Sequence, residues 1–152
     1  MNPRTATPAL TDDIGFLLAR ASGDFVRVSN AALLSHGLRV RSYSVLLLAC
    51  AGEGGISQRD LAAVLGLDPS QVVLLVDELT ESGLVERHPS DADRRTKLVV
   101  GTAAGQQVRA AAVADVAAVV AAQLAELTAT EQFLLRDLLS RLALGTGSIP
   151  PV

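Results

Sequence analysis

Apolar residues recur at helical spacing near the start of the chain. They fall every three or four positions, which predicts one apolar face of a long helix: Ile14, Leu17, Leu18, Ala21, Phe25, Val28 and Ala32. Thr11 is the predicted cap of this helix. Gly37 is its predicted end, because glycine tolerates a left-handed stop. A second, shorter helix is predicted over residues 42–51, before a cluster of glycines.

Two short helices joined by a tight turn are predicted next. Ser57 caps the first of them, and Gly66 supplies the turn. Asp68 caps the second helix, with Pro69 at its first position, and Gly83 ends it. Two helices with a glycine-containing turn of this length indicate a helix-turn-helix.

A basic hairpin is predicted directly after this motif. Residues 84–87 and 96–100 are short apolar or β-branched runs around a polar loop, which is typical of two paired strands. The far side of the loop carries Arg94, Arg95 and Lys97. A basic hairpin in this position is how a winged helix touches DNA, so these three cations are candidate DNA-binding residues.

Two further helices complete a fold predicted to be mostly α with a small β-hairpin. Thr102 caps a long alanine-rich helix to about residue 127, and Thr128 or Thr130 caps a last helix through residue 144. The terminal helices are more apolar than a small winged domain can cover, so they are predicted to pack against a second copy. A monomeric bundle is the alternative. The predicted division is a flexible arm at 1–10, dimerisation helices at 11–37 and 102–144, a winged helix-turn-helix DNA-binding domain at 38–101, and a tail at 145–152.

Composition and charge narrow the class of protein. The chain has 152 residues, of which 49% are apolar and 3% aromatic, with no tryptophan, and this favours a mostly helical core of Leu, Val and Ala. The formal net charge is −3, so any duplex binding must come from a local basic patch. The single cysteine, Cys50, excludes an internal disulfide and fits a reducing compartment. No signal peptide or membrane-spanning run is recognisable, so a cytoplasmic protein is expected.

The second helix of the motif presents candidate base readers. At about 100° per residue its core-facing side is predicted to carry Val72, Leu75, Val76 and Leu79. Its N-terminal half would enter the major groove, where Ser70, Gln71 and Leu74 are the predicted readers. Gln71 can pair with adenine, and Leu74 or Val73 can press on a thymine methyl group. Each such contact contributes about 1–3 kcal/mol of discrimination.

Three stretches of the sequence resemble the multiple-antibiotic-resistance regulator (MarR) family of transcription factors: ISQRDLAAVLGLDPSQVVLLVDELTESGLVER, DADRRTKLVV and GTAAGQQV. The most specific parts are GLVER and the DADRR that follows it. The resemblance implies a homodimer that binds double-stranded DNA at a pseudo-palindromic operator, and a small, often phenolic, effector that lowers its affinity. It also implies that Asp93 braces one arginine of the loop so that the other reaches the minor groove.

The predicted reading helix departs from this family pattern. Family members usually carry Arg or Lys on its outer face, whereas this helix has three acids and no base. Carboxylates are repelled by phosphates, so the helix cannot supply affinity by charge. Affinity is then predicted to rest on Arg94, Arg95, Lys97 and Arg39 or Arg41. The alternative is a winged-helix module that has lost DNA binding through its acidic helix and binds protein.

Other candidate chemistry is limited. A ligand pocket is expected where the first two helices and the wing meet the dimerisation helices, with Phe25, His36, Tyr43 and Leu47 as candidate lining residues. No metal site is expected, because His36 and His88 have no cysteine or carboxylate at ligand spacing. No nucleophile with its base stands out, so no catalytic residue, cofactor or enzyme activity is expected. Cys50 lies among apolar residues and is predicted to be an inert buried thiol.

Overall fold

The structure, a computed structural model, describes residues 10–52 and 54–145 of the chain. The predicted arm at 1–10 and tail at 145–152 lie outside the described residues, apart from Leu10 and Gly145. Within this part the chain is mostly helical with a small antiparallel sheet, as predicted. None of its helices combines the length and apolarity that crossing a membrane requires, so far as the described residues extend.

The helices and strands that position the site follow one another in chain order. They are α1 (Ile14–Leu33), α2 (Val40–Ala49), β1 (Ile56–Ser57), α3 (Gln58–Leu65), α4 (Pro69–Glu81), β2 (Val85–Pro89), β3 (Lys97–Gly101), α5 (Ala103–Gln123) and α6 (Ala129–Leu144). A short 3-10 turn, Leu34–His36, lies between α1 and α2. Helices α3 and α4 form the helix-turn-helix, and strands β2 and β3 form the wing.

Helix α1 begins and ends where local chemistry satisfies its backbone. The predicted cap, Thr11, is wrong, because the Asp13 carboxylate accepts the Phe16 N–H at 2.8 Å and α1 begins at Ile14. A carboxylate caps as well as a hydroxyl and is also favoured by the positive end of the helix dipole. Gly37 follows the 3-10 turn with a left-handed φ of 68°, as predicted.

Helix α2 begins two residues before the predicted position. The Arg39 N–H donates to Ser42 Oγ at 3.0 Å, and the Val40 N–H donates to Asn30 Oδ1 at 2.9 Å. Because Asn30 lies on α1, a tertiary contact that the local pattern does not contain fixes this helix start.

The helix-turn-helix has the predicted caps and turn. The Ser57 hydroxyl and the Asp68 carboxylate each accept a backbone N–H in the first turn of α3 and α4, and Pro69 opens α4. Gly66 adopts a left-handed φ of 62° between the two helices. Helix α4 ends at Glu81, two residues before the predicted end, and the chain then reverses at Gly83 with a φ of 73°.

The sheet contains a third strand that the sequence pattern did not predict. Strand β3 lies between β1 and β2 and is antiparallel to both. Strand β1 is two residues long, which is too short for an alternation of polar and apolar residues to be recognised. Strand β2 begins at Val85 rather than at residue 84, because the Leu84 N–H donates to the Leu79 carbonyl of α4 at 2.9 Å.

Two glycines allow the wing to pack closely against its neighbours. A Cβ atom on Gly105 of α5 would lie 2.0 Å from the carbonyl oxygen of Leu84. A Cβ atom on Gly101 of β3 would lie 2.2 Å from Cys50 Sγ. Thr102 caps α5 as predicted, since its hydroxyl accepts the Gly105 N–H at 3.0 Å. The base of the wing and the start of α5 are therefore held against each other.

The boundary between the last two helices also departs from the prediction. Helix α5 ends at Gln123, about four residues early. Of the two candidate caps of α6, the structure selects Thr128, whose N–H donates to the Glu131 carboxylate at 2.7 Å while its hydroxyl accepts the Glu131 N–H at 3.3 Å. This reciprocal arrangement is a capping box, which Thr130 cannot form with Glu131.

The core lies mainly in the winged domain. It is built from buried Leu, Val and Ala of α2, α3, α4 and the wing. Helix α6 buries none of its residues in the described chain, and α1 buries only Ser29 and Leu33. The exposed large apolar side chains of α1 and α6 include Ile14, Phe16, Leu17, Leu18, Phe133, Leu134, Leu138 and Leu142. The terminal helices thus carry an apolar surface that the described chain does not cover.

Candidate nucleic-acid interface

The exposed face of α4 carries the predicted base readers. Val72, Val76 and Leu79 are buried on its inner face, which agrees with the predicted helical pattern. The predicted readers Ser70, Gln71, Val73 and Leu74 are all exposed. Leu74 is 64% exposed and Val73 40%, so α4 presents apolar side chains to solvent in its N-terminal half. Such side chains are suited to contacting thymine methyl groups rather than phosphates.

At the start of α4, the side chains of Asp68 and Ser70 are hydrogen-bonded to each other. The Asp68 carboxylate accepts the Ser70 N–H at 2.8 Å and the Ser70 hydroxyl at 2.5 Å. These two bonds hold the pKa of Asp68 below its usual value, even though burial opposes the shift. The hydroxyl hydrogen of Ser70 is therefore used in a hydrogen bond within the protein. The hydroxyl oxygen can still accept a hydrogen bond from a DNA base.

One of the three acids of α4 is neutralised by the wing. Arg87 of β2 donates to the Asp77 carboxylate and, through Nε, to Gln58 Oε1 of α3 at 3.1 Å. Glu78 and Glu81 are exposed and form no ion pair with another described residue. The expectation of three uncompensated acids is therefore corrected to two. The sequence did not predict this contact, because the local pattern places Arg87 at the end of a strand and does not indicate which helix the strand packs against.

Asp93 braces the backbone of the wing loop and not an arginine head group. Its carboxylate accepts the Arg95 N–H at 2.9 Å and the Thr96 hydroxyl at 3.1 Å. The Thr96 N–H donates to the Asp93 carbonyl at 2.9 Å, and the Ser90 N–H donates to the Thr96 carbonyl at 2.9 Å. The expectation that Asp93 holds a guanidinium group is therefore wrong. Its acceptor oxygens serve the tight turn, as is common for Asp.

The three predicted wing cations are left unpaired in the described chain. Arg94, Arg95 and Lys97 are exposed, and none forms an ion pair with another described residue. Of the four arginines that form ion pairs among the described residues, three have an aspartate on a neighbouring helical turn: Arg20 and Arg27 with Asp24, and Arg141 with Asp137. The wing therefore projects three cations that form no ion pair with a described residue.

A cleft of about 570 Å³ separates the start of α3 from the wing. It is lined by Ser57, Gln58, Arg59, Asp60, Ser90, Thr96, Lys97 and Leu98. Arg59 and Lys97 bring two cations to it from different elements. Asp60 accepts the Ser57 hydroxyl at 2.7 Å and so adds a carboxylate close to the same cleft. An anion in this cleft would meet both cations.

The remaining predicted cations, Arg39 and Arg41, lie beside α4. Both are exposed and line a cleft of about 480 Å³ between α1, α2 and α4. Leu75 and Glu78 of α4 line the same cleft. The structure thus brings these arginines next to the middle and the C-terminal half of α4.

The four predicted pocket residues make different contacts. Phe25 lines an apolar groove between α1 and α6. His36 Nε2 lies 2.7 Å from the Asp115 carboxylate of α5. Tyr43 packs on the core, where burial raises its pKa against an opposing effect of the Arg109 charge, and Leu47 is half-buried. His36 and Tyr43 remain the polar candidates at the junction of α1, α2 and α5.

Cys50 has the environment of an inert thiol. It is 7% exposed and lies directly under Gly101. Burial raises the pKa of its thiol, and the Arg109 charge offsets this only in part. A raised pKa lowers the thiolate fraction and hence the reactivity. The described residues contain no group of His, Cys, Asp and Glu side chains that is arranged to hold a metal ion.

Comparison with known proteins identifies similar sequences and folds. The family model that matches is described as MarR family and covers residues 36–96. A putative transcriptional regulatory protein for the hcr operon of Thauera aromatica is 30% identical over 103 residues, or 67% of this chain. The match spans 61% of that relative's length.

Solved structures match over nearly the whole chain. CouR from Rhodococcus jostii RHA1, bound to p-coumaroyl-CoA, is 47% identical with a TM-score of 0.85, over 92% of this chain and 98% of that one. A MarR-family transcriptional regulator from Rhodococcus sp. RHA1 is 46% identical with a TM-score of 0.86, over 91% and 97%. A transcriptional repressor CouR bound to a 23-mer DNA duplex is 29% identical with a TM-score of 0.79, over 88% and 94%.

Proposed function

The chain belongs to the MarR family of transcriptional regulators, and we propose that it is a dimeric DNA-binding repressor that a small ligand releases from its operator. The observation that carries this proposal is the set of three exposed wing cations without a carboxylate partner among the described residues. We propose further that residues 38–101 bind DNA, that α1, α5 and α6 dimerise, and that the protein acts in the cytoplasm by binding rather than by catalysis.

The proposed contacts with DNA are of two kinds, those that supply affinity and those that read the base sequence. Arg94, Arg95 and Lys97 of the wing, together with Arg59, supply charge to the phosphates or the minor groove. Arg39 and Arg41 extend the cationic surface beyond α4. The proposed base readers on α4 are Ser70, Gln71, Val73 and Leu74, which carry no charge. Affinity therefore rests on the wing, and sequence preference on neutral side chains.

Replacing Arg94 and Arg95 together with alanine tests the wing assignment. A duplex that the wild-type protein selects from a random pool should bind the variant more than about a thousandfold more weakly at roughly 0.1 M salt, since the dimer loses four cations and about four counterions are no longer released. Fluorescence anisotropy with the labelled duplex measures the change.

The matched control replaces Arg20 and Arg27, which are equally exposed but lie on α1 and bond to Asp24. This control changes the net charge by the same amount and should leave binding within about twofold. Unchanged binding of the wing variant would contradict the assignment. Failure of the wild-type protein to select any duplex would instead support a protein-interaction module, which exposed Glu78 and Glu81 favour.

The proposed dimer is supported by the uncovered apolar surface of the terminal helices. A groove of about 630 Å³ between α1 and α6 is lined by Ile14, Leu17, Leu18, Ala21, Ser22, Phe25, Leu135, Leu139, Leu142 and Ala143. An apolar surface of this kind marks a site that another protein covers. A two-fold dimer presents two wings and two reading helices, which matches an operator with two related half-sites.

Placing charges on this surface should separate the subunits. Replacing Leu138 and Leu142 with glutamate puts two like charges into the proposed interface, so sedimentation equilibrium should change from twice the chain mass to the chain mass of 15.8 kDa. Leu74→Glu is the control, because Leu74 is likewise exposed, at 64%, but lies on α4. This variant should weaken operator binding without changing the sedimenting mass. A wild-type protein that sediments as a single chain would contradict the dimer.

The proposed effector is a small aromatic compound. Its support is the similarity to a regulator whose structure holds p-coumaroyl-CoA. The candidate contacts are Phe25, His36, Tyr43 and Leu47, of which His36 and Tyr43 offer polar atoms between α1, α2 and α5. A ligand that favours a spacing of the two reading helices unsuited to the operator lowers the affinity for DNA.

Titration of the protein–operator complex with p-coumaroyl-CoA tests this ligand class. The anisotropy of a labelled operator should fall to that of free duplex, because the ligand stabilises a conformation that does not bind. Free coenzyme A, which lacks the aromatic group, is the control and should release little DNA. An operator complex that is stable to both compounds would contradict a thioester of this type as the effector.

A further inference from the structure

One arginine of the wing joins it to both helices of the helix-turn-helix. Arg87 of β2 reaches Asp77, ten residues earlier on α4, and Gln58, 29 residues earlier on α3. We call these three side chains the Arg87 clamp. The clamp is half-buried, since 28% of the Arg87 side chain and 49% of the Asp77 side chain are exposed.

The clamp lies where the wing leaves the body of the domain. On β2, Val85 faces inward and is buried, and Arg87 follows on the same face. Glu86 and His88 face outward, where they are exposed and pair with each other at 2.8 Å. Pro89, the next residue on the inward face, is already exposed. Arg87 is therefore the last residue on this face of β2 that is not fully exposed.

The geometry of the clamp requires a guanidinium group. One nitrogen, Nε, donates to Gln58, while another, Nη2, donates to Asp77. The planar guanidinium presents these donors in a fixed arrangement, so it sets the positions of α3 and α4 relative to the strand. A lysine in this position keeps the charge but has one ammonium group, which cannot reproduce the two directions.

The clamp also changes the charge that α4 presents to DNA. With Asp77 paired to Arg87, the carboxylates of α4 that remain uncompensated by described residues are Glu78 and Glu81. Loss of the pairing would therefore both loosen the wing relative to α4 and restore a third negative charge near the phosphates. These two consequences affect DNA binding in different ways and can be separated by substitution.

We propose that Arg87 is a positioning residue for operator discrimination, a role that rests on the proposed function. It fixes the wing relative to α4 so that Arg94 and Arg95 reach the backbone or minor groove while Gln71 and Leu74 meet the bases. Two contacts held at a fixed separation strengthen binding through their effective concentration. The gain applies only to a duplex in which both contacts fit, so it raises affinity for the operator above that for other sequences.

The Arg87→Lys variant separates geometry from charge. We expect its affinity for the selected operator to fall about tenfold, within the range of coupling between contacting residues. Its affinity for a scrambled duplex should stay within about twofold, because the charge of the wing is kept. The thermal midpoint should change little, since a partly exposed pair contributes little stability. The measured quantity is the specificity ratio, which is the dissociation constant of the scrambled duplex divided by that of the operator. The thermal midpoint is measured in parallel.

The Asp77→Asn variant adds a readout that a purely electrostatic role would not produce. Removing a carboxylate weakens repulsion from phosphates, so charge alone predicts tighter binding to both duplexes and an unchanged ratio. The clamp predicts tighter binding to the scrambled duplex but a lower ratio, because Arg87 loses its ionic partner and holds the wing less firmly to α4. His88→Gln, which removes the imidazole that contacts Glu86 on the outward face of the same strand, is the control and should leave the ratio unchanged.

The outcomes distinguish this inference from the proposed function. A wild-type protein that selects no operator overturns both. A wild-type protein that selects an operator, together with an Arg87→Lys variant that keeps the ratio, overturns the role of Arg87 alone. A loss of ratio in Arg87→Lys and Asp77→Asn, with the thermal midpoints and His88→Gln unchanged, supports the clamp.

Discussion

Repulsion between carboxylates and phosphates is the constraint on which this structure depends. A chain of net charge −3 can bind a polyanion only through a surface where cations are left unpaired by its own acids. Arg20, Arg27 and Arg141 have aspartate partners on neighbouring helical turns. The wing cations form no ion pair with a described residue, and the three of them outnumber the two carboxylates of their loop, Asp91 and Asp93. The Asp93 carboxylate accepts backbone and hydroxyl donors. The local balance of charge thus favours DNA binding although the global balance does not.

The packing of the chain separates a well-packed winged domain from terminal helices whose apolar surface is uncovered. The core is concentrated around the helix-turn-helix and the wing, and close contacts at Gly101 and Gly105 fix the wing base against α2 and α5. The terminal helices instead leave Phe133 and Leu142 each 69% exposed. One part of the protein is therefore rigid enough to present a reading surface, and the other part needs a second subunit to bury its apolar area. In the proposed function, a ligand that binds between the two parts would change the spacing of the reading helices.

Sequence reasoning predicted features that local chemistry determines. The caps at Ser57 and Asp68 and the left-handed turn at Gly66 depend on neighbouring residues, and the structure confirms them. Contacts between distant positions could not be predicted. Asn30 fixes the start of α2, Arg87 pairs with Asp77, and His36 meets Asp115 across 79 positions. Strand β1 is too short to show a pattern of polar and apolar residues. The cap of α1 was wrongly predicted at Thr11 instead of Asp13, because Thr and Asp both cap helices well. The exposed positions of the predicted wing cations and base readers thus follow from local patterns, whereas pairings between distant side chains do not.

The salt dependence of operator binding tests the central claim most directly. If the six wing cations of a dimer supply the affinity, log Kd should rise with log salt concentration with a slope of about 5. The slope should be nearly the same for the operator and for a scrambled duplex, because neutral side chains of α4 read the bases. A slope below about 2, or a slope found only with the operator, would contradict the account.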